Sequence, residues 1–457
     1  MPHLRIKNKA LVWGLAGISA LLYFYLAYFV VRQDFFLVLS LYAALFLAFA
    51  LILKSELMSF KMLSWIALLL RLVFIAALPN LSNDFYRFIW DGRMLIEGLN
   101  PYLYTPELFL QGPMSDLIHE GQVLYEGMGS LNGHHYTCYP PVNQIGFFIP
   151  ALFFSENILG STILMRLFIM LADVGVWWIG PKLLKLLNIN AKAIFLYLLN
   201  PFIIIELTGN LHFEGVMLFF LIWAIYLLLV KSWKWSAIVM ALSICVKLIP
   251  LIFLPILLRK MAFKKALIYY VICLGVVAIL FAPFISVEFL ENFMSSINLY
   301  FQSFEFNASI YYIIRAIGYE SVGYNIIHQV GKVLPIIIVL GILLISWLRK
   351  NENPKVYMTS LMWIIFFYLL LSTTVHPWYI AVILMLSIFT NFKFPLIWSF
   401  LIIFSYSAYR SEEYQENLIF VGLEYGLVLG FLIFEIFKNR NNSKTLRKGP
   451  SSAINAH

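Results

Sequence analysis

Long apolar segments recur along this 457-residue chain, and they decide what it can fold into. Runs of about 17–22 apolar residues alternate with short polar stretches, which is the pattern of helices that cross a lipid bilayer. Only 12% of the residues are charged, whereas a soluble domain carries about 25%. The sequence therefore predicts an all-α, polytopic membrane protein of about 13–14 transmembrane helices.

Charge and cysteine content exclude several other classes of protein. The formal net charge is +9, but most Lys and Arg residues form short clusters between apolar runs, where they set membrane topology. We therefore predict membrane lipids as partners and no nucleic acid. The cysteines show no metal-ligand spacing, and two of them lie in apolar runs, so a disulfide framework is not expected: Cys138, Cys245 and Cys273.

The distribution of basic residues predicts a multi-pass protein of the inner (plasma) membrane with both termini in the cytoplasm. The first apolar run follows a basic start without a cleavage signal, so it is interpreted as a retained anchor. After three crossings the interval 79–157 lies outside, as a long extracytoplasmic loop with juxtamembrane helices such as 141–154. The run 235–258 has basic residues at both ends, and we predict that it turns back between Lys247 and Pro250.

This topology divides the chain into four parts. They are an N-terminal transmembrane hairpin, a core that carries the outer loop 79–157, a C-terminal transmembrane region and a disordered cytoplasmic tail: 1–61, 62–283, 284–437 and 438–457.

The start of the outer loop concentrates charge at the membrane edge. Read as a helix, this stretch places Asp84, Arg87 and Asp91 on one face. A carboxylate beside a guanidinium can act as a general base next to an anion clamp. The alternative is a solvated connector whose charges only satisfy one another.

Further polar motifs fall on the same predicted side of the membrane. Ionisable groups at membrane depth are costly, so several on one side predict a shared site. The motifs contain Tyr139, His212, Glu214, Lys247, and His376 with Tyr379.

Each of these motifs also has a structural alternative. The two histidines can be interfacial residues, Glu214 can cap the following helix, and Lys247 can pair with Glu214 or Glu206. Arg166 and Asp173, seven residues apart, are predicted to bridge helices.

The order of these motifs resembles the GT-C superfamily of integral-membrane glycosyltransferases, in particular bacterial polyprenyl-phosphate-mannose-dependent mannosyltransferases. The resemblance spans roughly residues 62–390 and rests on the order of the motifs. They are Asn83-Asp84-Phe85-Tyr86-Arg87-Phe88-Ile89-Trp90-Asp91-Gly92, Asn100-Pro101-Tyr102, Tyr139-Pro140-Pro141, Asn200-Pro201, Gly209-Asn210-Leu211-His212-Phe213-Glu214, Phe306-Asn307-Ala308-Ser309-Ile310-Tyr311 and His376-Pro377-Trp378-Tyr379. In one departure, Phe213-Glu214 replaces the more usual Asn-Asp. Fewer oxygen ligands remain, so no metal or other cofactor is predicted.

The resemblance implies transfer of a sugar, most simply mannose, from a polyprenyl-phosphate donor to a lipid or glycan hydroxyl at the extracytoplasmic face. Such transfer needs a base for the acceptor proton and cationic or hydrogen-bonding groups around the departing phosphate. We predict Asp84 as the base of a direct, inverting displacement. The predicted phosphate-binding residues are Arg87, Arg93, Lys247 and His376. The predicted acceptor-binding or supporting residues are Asp91, Tyr139, His212, Glu214 and Tyr379.

Two other classes of function explain the sequence less well. A lipid or lipid-linked-sugar transporter or flippase often carries internal repeats and charges near mid-membrane, whereas here the functional-looking residues fall on one face and the two halves show no repeat. A non-enzymatic scaffold leaves the aligned polar motifs unexplained. Within the enzyme class, transfer of another lipid-linked sugar, such as a glucosyl or arabinosyl unit, stays open.

Overall fold

The structure is a computed structural model that describes residues 8–411 and 414–447, without the side chains of 300–302 and 441–447. Within these ranges the chain is helical, and the only β-structure is an isolated parallel bridge between Phe306 and Thr374. The α-helices are α1 (Lys9–Phe29), α2 (Phe35–Lys54), α3 (Phe60–Leu72), α4 (Asp84–Ile96), α5 (Pro106–Leu110), α6 (Gly121–Gly133), α7 (Pro141–Phe154), α8 (Ile158–Leu186), α9 (Phe195–Leu198), α10 (Pro201–Ile203), α11 (Glu214–Leu229), α12 (Trp233–Val246), α13 (Leu257–Lys260), α14 (Phe263–Phe281), α15 (Val287–Gln302), α16 (Ile310–Val322), α17 (Ile327–Leu348), α18 (Pro354–Leu371), α19 (Ile380–Ser387), α20 (Phe394–Leu401) and α21 (Leu418–Arg447). Shorter 3-10 helices cover Pro101–Leu103, Ser115–Leu117, Ala191–Ile194, Ile249–Ile256, Ala282–Phe284, Pro377–Tyr379 and Ile402–Tyr409, and a π-helix covers Ile204–Gly209.

Long apolar helices confirm the predicted class of all-α, polytopic membrane protein. Among the described residues, seven helices are long and apolar enough to cross a membrane: α1, α2, α8, α14, α17, α18 and α21. An eighth span is possible if the pair Ala191–Leu198 and Pro201–Gly209, bent by 51°, counts as one. The number is below the predicted 13–14 because other apolar runs form helices of only 10–17 residues, five in all. Proline interrupts several of these runs.

The N-terminal hairpin, α1 and α2, is fastened to the remainder of the described chain at two places. Within α2, the Tyr42 hydroxyl donates to the Ser399 carbonyl oxygen at 2.6 Å. At the end of α1, the Asn80 amide donates to the carbonyls of Leu26 at 2.6 Å and Val30 at 2.5 Å. The loop between α1 and α2 is thereby held beside the start of the outer loop.

Buried arginines tie the central helices together. Arg71 on α3 pairs with Asp173 on α8 at 2.6 Å. Arg166, also on α8, donates to the carbonyls of Thr208 at 2.9 Å and Gly209 at 3.1 Å, which belong to the π-helix. The prediction that Arg166 and Asp173 bridge helices is confirmed, with Arg71 as the partner of Asp173.

The outer loop is organised by the packing of α4 on α7. A Cβ atom added to Gly92 would collide with the carbonyl oxygen of Phe147, so only glycine permits this approach. Beside this contact the rings of Phe88 and Phe147 stack at 4.6 Å. Helix α7 itself coincides with the predicted juxtamembrane helix 141–154.

The predicted break near Lys247 is confirmed. Helix α12 ends at Val246, Lys247 is extended, and the 3-10 helix begins at Ile249. Ser236, at the start of α12, lies 3.1 Å from the hydroxyl of Tyr269 near the start of α14. The chain therefore rises through α12 and returns through the 3-10 helix and α13 before α14 begins.

The last helix differs from its sequence-based prediction. Residues 438–447, predicted as the first half of a disordered tail, continue α21 to Arg447. A long helix extends readily into Lys and Arg, because both have good helix propensity and propagation needs no new nucleus. The rest of the predicted tail, 448–457, lies outside the described residues.

Candidate functional site

A cavity of about 760 Å³ brings together segments that are far apart in sequence. Its walls come from the start of α4, the kinked end of α6, the break after α12 and the segment that follows α18. Five predicted site residues border it: Asp84, Tyr139, Lys247, His376 and Tyr379. The convergence expected from the sequence is therefore present for these five, whereas the other predicted site residues lie behind the wall or elsewhere.

Asp84 is the first residue of α4 and accepts a hydrogen bond from the Asn132 amide at 3.1 Å. Among the described residues, no cation lies within ion-pair distance of its carboxylate. Burial raises the pKa of Asp84, an effect that the positive charge of Lys247 and the Asn132 hydrogen bond oppose. A carboxylate with a raised pKa and a neutral partner has the properties of a general base.

The spacing of the sequence allowed Arg87 to pair with Asp84, but in the structure Arg87 does not form this pair. Its Nε lies 2.8 Å from Asp91 Oδ1, and its Nη1 donates to the carbonyls of Asn132 and His135, both at 2.7 Å. The side chain lies behind the cavity wall, where it fastens the segment that carries Asn132. Arg87 thus supports Asp84 indirectly, and its phosphate-binding role stays an untested prediction.

Asp91 is fully buried and links two parts of the wall. Its second oxygen accepts from the Gln144 amide at 3.0 Å, and Gln144 also reaches the Tyr139 carbonyl at 3.4 Å. Through Arg87 it holds the Asn132 segment, and through Gln144 it holds Tyr139. Asp91 therefore connects parts of the wall without bordering the cavity, and its predicted supporting role stays a prediction.

Arg93 lies further along α4 and away from the cavity. Its guanidinium donates to the His119 carbonyl and to Glu120 at 3.4 Å. These contacts fasten the stretch before α6, and the structure brings Arg93 to no other predicted site residue. Its predicted role in phosphate binding stays untested.

Lys247 borders the same cavity at the break after α12. Its Nζ lies 3.1 Å from Glu214 Oε1 and 4.8 Å from the centre of the Tyr139 ring. Glu214 is fully buried at the start of α11. Of the two pairings considered for Lys247, the structure has the one with Glu214, while Glu206 accepts a 2.6 Å hydrogen bond from Tyr406.

Three rings connect two of the predicted motifs. Trp378 stacks on His212 at 3.7 Å and on His376 at 4.6 Å. Burial, reinforced by the positive charge of Lys247, lowers the pKa of His376 to about 3 and that of His212 well below its usual range. Both histidines are therefore neutral at pH 7, and His376 offers the cavity hydrogen bonding but no charge.

Several cavity residues were missed by the sequence analysis. Asn132 lies in the last turn of α6, after a kink at Gly129 where φ is +77°, and a single asparagine there carries no signal of its own. Trp378 belongs to a motif that the sequence did indicate. Arg32 borders the cavity from the loop after α1, and its signal is a lone basic residue on the predicted outer side, where basic residues are disfavoured.

Metal-binding geometry was sought among the described side chains. No group of three or more His, Cys, Asp or Glu residues within 8–411 and 414–447 is arranged to hold a metal ion. The sequence-based expectation about cofactors stays a prediction.

Comparison with known proteins identifies the family. A family model described as alpha-(1→6)-mannopyranosyltransferase, N-terminal domain, matches residues 12–262, which is more than half of the 457 residues. The chain belongs to this family. Alpha-(1→6)-mannopyranosyltransferase A of Mycobacterium tuberculosis is 23% identical over 335 residues, covering 69% of this chain and 61% of that protein. Alpha-(1→6)-mannopyranosyltransferase B of Corynebacterium glutamicum is 26% identical over 145 residues, covering 32% of this chain and 23% of that protein.

Membership of the alpha-(1→6)-mannopyranosyltransferase family confirms the resemblance read from the motifs. The match to the family model includes Arg32, Asp84, Asn132 and Lys247, and it ends before His376. The chain matches less than two thirds of the length of either relative.

Proposed function

We propose that this membrane protein is a mannosyltransferase that moves mannose from a polyprenyl-phosphate donor to a hydroxyl of a lipid or glycan acceptor. Support comes from the family and from the names of its relatives, which are alpha-(1→6)-mannopyranosyltransferases. One observation carries the proposal. Asp84, a carboxylate with a raised pKa, shares a cavity of about 760 Å³ with the cation Lys247.

The reaction is a direct displacement at the anomeric carbon. The acceptor hydroxyl gives its proton to the Asp84 carboxylate as its oxygen forms the new glycosidic bond. The bond between the anomeric carbon and the phosphate oxygen breaks, and its electron pair leaves with the lipid phosphate. A single displacement inverts the anomeric centre, so a β-linked donor gives an α-mannoside.

Two further residues that border the cavity can stabilise the leaving phosphate. Lys247 contributes a positive charge, which its neighbour Glu214 partly offsets. His376, neutral at pH 7, contributes a hydrogen bond. Tyr139 and Tyr379 supply aromatic walls of the kind against which sugar rings pack.

Part of the cavity wall is apolar, which suits a substrate that carries a lipid chain. This side is built by the residues after the α12 break and by α15, and it contains Leu248, Ile249, Leu251, Ile252 and Ile297. The arrangement places an apolar wall next to the charged one, as a lipid phosphate requires.

Purified protein in proteoliposomes tests the proposal. With polyprenyl-phosphate mannose as donor and an alkyl mannoside as acceptor, we expect an α-linked dimannoside by mass spectrometry and NMR. A protein that moves the labelled donor across the bilayer without forming this product would instead be a transporter.

The proposed face of the reaction is extracytoplasmic. In a variant lacking the native cysteines, an impermeant thiol reagent applied to intact cells should label Ser115→Cys and leave Asn442→Cys unlabelled. The reverse pattern would place the site on the cytoplasmic side.

A further inference from the structure

The charge balance of the cavity leaves one cation without a defined role. Among the described residues, two cationic side chains border the cavity, Lys247 and Arg32. Lys247 is matched by Glu214 at 3.1 Å, and His376 is neutral at pH 7. Arg32 is therefore the cavity cation that has no carboxylate at ion-pair distance among the described residues.

Arg32 is held in place by an aromatic face. Its guanidinium carbon lies 4.8 Å from the centre of the Tyr409 ring. No carboxylate within the described residues lies at ion-pair distance from it. A guanidinium that contacts a ring face and has no carboxylate partner can use its N–H donors to bind a planar or tetrahedral anion in bidentate fashion.

The backbone that carries Arg32 is fixed as well. The Asn80 amide donates to the carbonyls of Leu26 and Val30, just before the loop. Arg32 acts with Lys247 in lowering the pKa of Asp84, so its charge is felt at the proposed reaction centre. The N-terminal hairpin, predicted as a separate part of the chain, thus contributes a charged group to the cavity.

We propose that Arg32 binds a phosphate group in this cavity and that the N-terminal hairpin is therefore part of the substrate site. The inference rests on the proposed function, since that function brings a lipid phosphate into the cavity. The phosphate belongs either to the polyprenyl-phosphate donor or to a phosphate-bearing acceptor lipid. Arg32 supplies a positive charge outside any ion pair of the described residues, whereas Lys247 is paired with Glu214.

The test compares two arginines in similar settings. Arg410 packs on the Phe36 ring at 4.8 Å but does not border the cavity. Arg32→Met, Arg32→Lys and Arg410→Met are purified in nanodiscs of zwitterionic lipid, and the affinity for polyprenyl phosphate is measured. Loss of a charge-assisted contact should weaken binding about ten- to a hundred-fold in Arg32→Met. Arg32→Lys should have an intermediate affinity for polyprenyl phosphate, and Arg410→Met should have the affinity of the wild type.

The source of the phosphate is resolved by steady-state kinetics on the same variants. If polyprenyl phosphate binds normally to Arg32→Met but KM rises only for a phosphate-bearing glycolipid acceptor, with KM for an alkyl mannoside unchanged, the acceptor supplies the phosphate. Unchanged binding and unchanged KM for both acceptors would overturn the proposal. An equal loss in Arg410→Met would also overturn it.

The binding assay keeps this inference separate from the proposed function. It needs no turnover, so a wild-type protein that binds polyprenyl phosphate through Arg32 but transfers no mannose would refute the proposed function alone. Conversely, if the wild-type protein transfers mannose and Arg32→Met has unchanged affinity and KM, the Arg32 assignment alone is refuted. Equal melting temperatures of the variants in the nanodisc show that a loss of affinity is not a loss of fold.

Discussion

Asp84→Asn is the substitution that most directly tests the proposed chemistry. The change keeps the size of the side chain and an oxygen that accepts the Asn132 hydrogen bond, and it removes the basicity. General base catalysis contributes about 10²–10⁴ in rate, so mannose transfer should fall at least a hundred-fold. Donor binding should be retained, because the donor brings no proton for Asp84 to remove.

The same substitution makes a prediction about stability. Burial raises the pKa of Asp84 above its unfolded value of 3.8. The native state then binds more protons than the unfolded state between those two pKa values, so stability falls as the pH rises through this window. Above this window the ionised carboxylate is a net cost to the native state, so Asp84→Asn should not lower the melting temperature there.

Asp91→Asn is the matched control for that variant. Asp91 is fully buried and pairs with Arg87 at 2.8 Å. Breaking a buried pair leaves an uncompensated charge and costs about 3–5 kcal/mol, so Asp91→Asn should melt at a lower temperature. Both variants are assayed together for transfer, donor affinity and thermal unfolding in detergent. Retained mannose transfer in Asp84→Asn would refute the assignment of Asp84 as the general base. Loss of both donor binding and transfer would give Asp84 a positioning role and leave Glu214 as the next candidate for the base.

Three further substitutions test the neighbours of Asp84. Asn132→Leu removes the hydrogen bond that lowers the pKa of Asp84, so the acidic limb of the pH profile of kcat/KM should move to higher pH. An unmoved limb would show that the Asn132–Asp84 hydrogen bond has no role in catalysis. Lys247→Met leaves Glu214 buried without its cation and should lower the melting temperature measured by differential scanning fluorimetry. The double variant with Glu214→Gln should regain stability, but its donor affinity, measured by titration, should stay low. Because the pKa of His376 is held at about 3, the pH profile of His376→Gln should retain the shape of the wild-type profile; loss of a limb near pH 6.5 would show that the histidine titrates during turnover.

Fold class and much of the cavity could be predicted from the sequence, because they depend on patterns that sequence displays. Apolar runs predicted the membrane helices, and basic residues at both ends of 235–258 predicted the break at Lys247. The distribution of charge also placed Asp84 and His376 on one side, and both border the cavity. The number of membrane spans was predicted less accurately, since composition does not reveal how proline shortens an apolar run into helices of 10–17 residues.

The choice of partners could not be read from helical spacing. Residues three and four positions apart share a face, so Arg87 was equally able to pair with Asp84 or Asp91. Tertiary contacts decided between them: Gln144 fixes Asp91, and the carbonyls of Asn132 and His135 draw Arg87 to that side. Partners contributed by distant loops leave no periodic signal in the sequence.

The pairing that the fold selects has a chemical consequence for the proposed reaction. Had Arg87 paired with Asp84, a nearby guanidinium would have lowered the pKa of that carboxylate and reduced its ability to take a proton. Because Arg87 is directed to Asp91 at 2.8 Å, Asp84 keeps a neutral amide as its hydrogen-bond partner. Its carboxylate then borders the cavity that Lys247 and Arg32 also border, and Arg87 contributes to this arrangement from behind the wall.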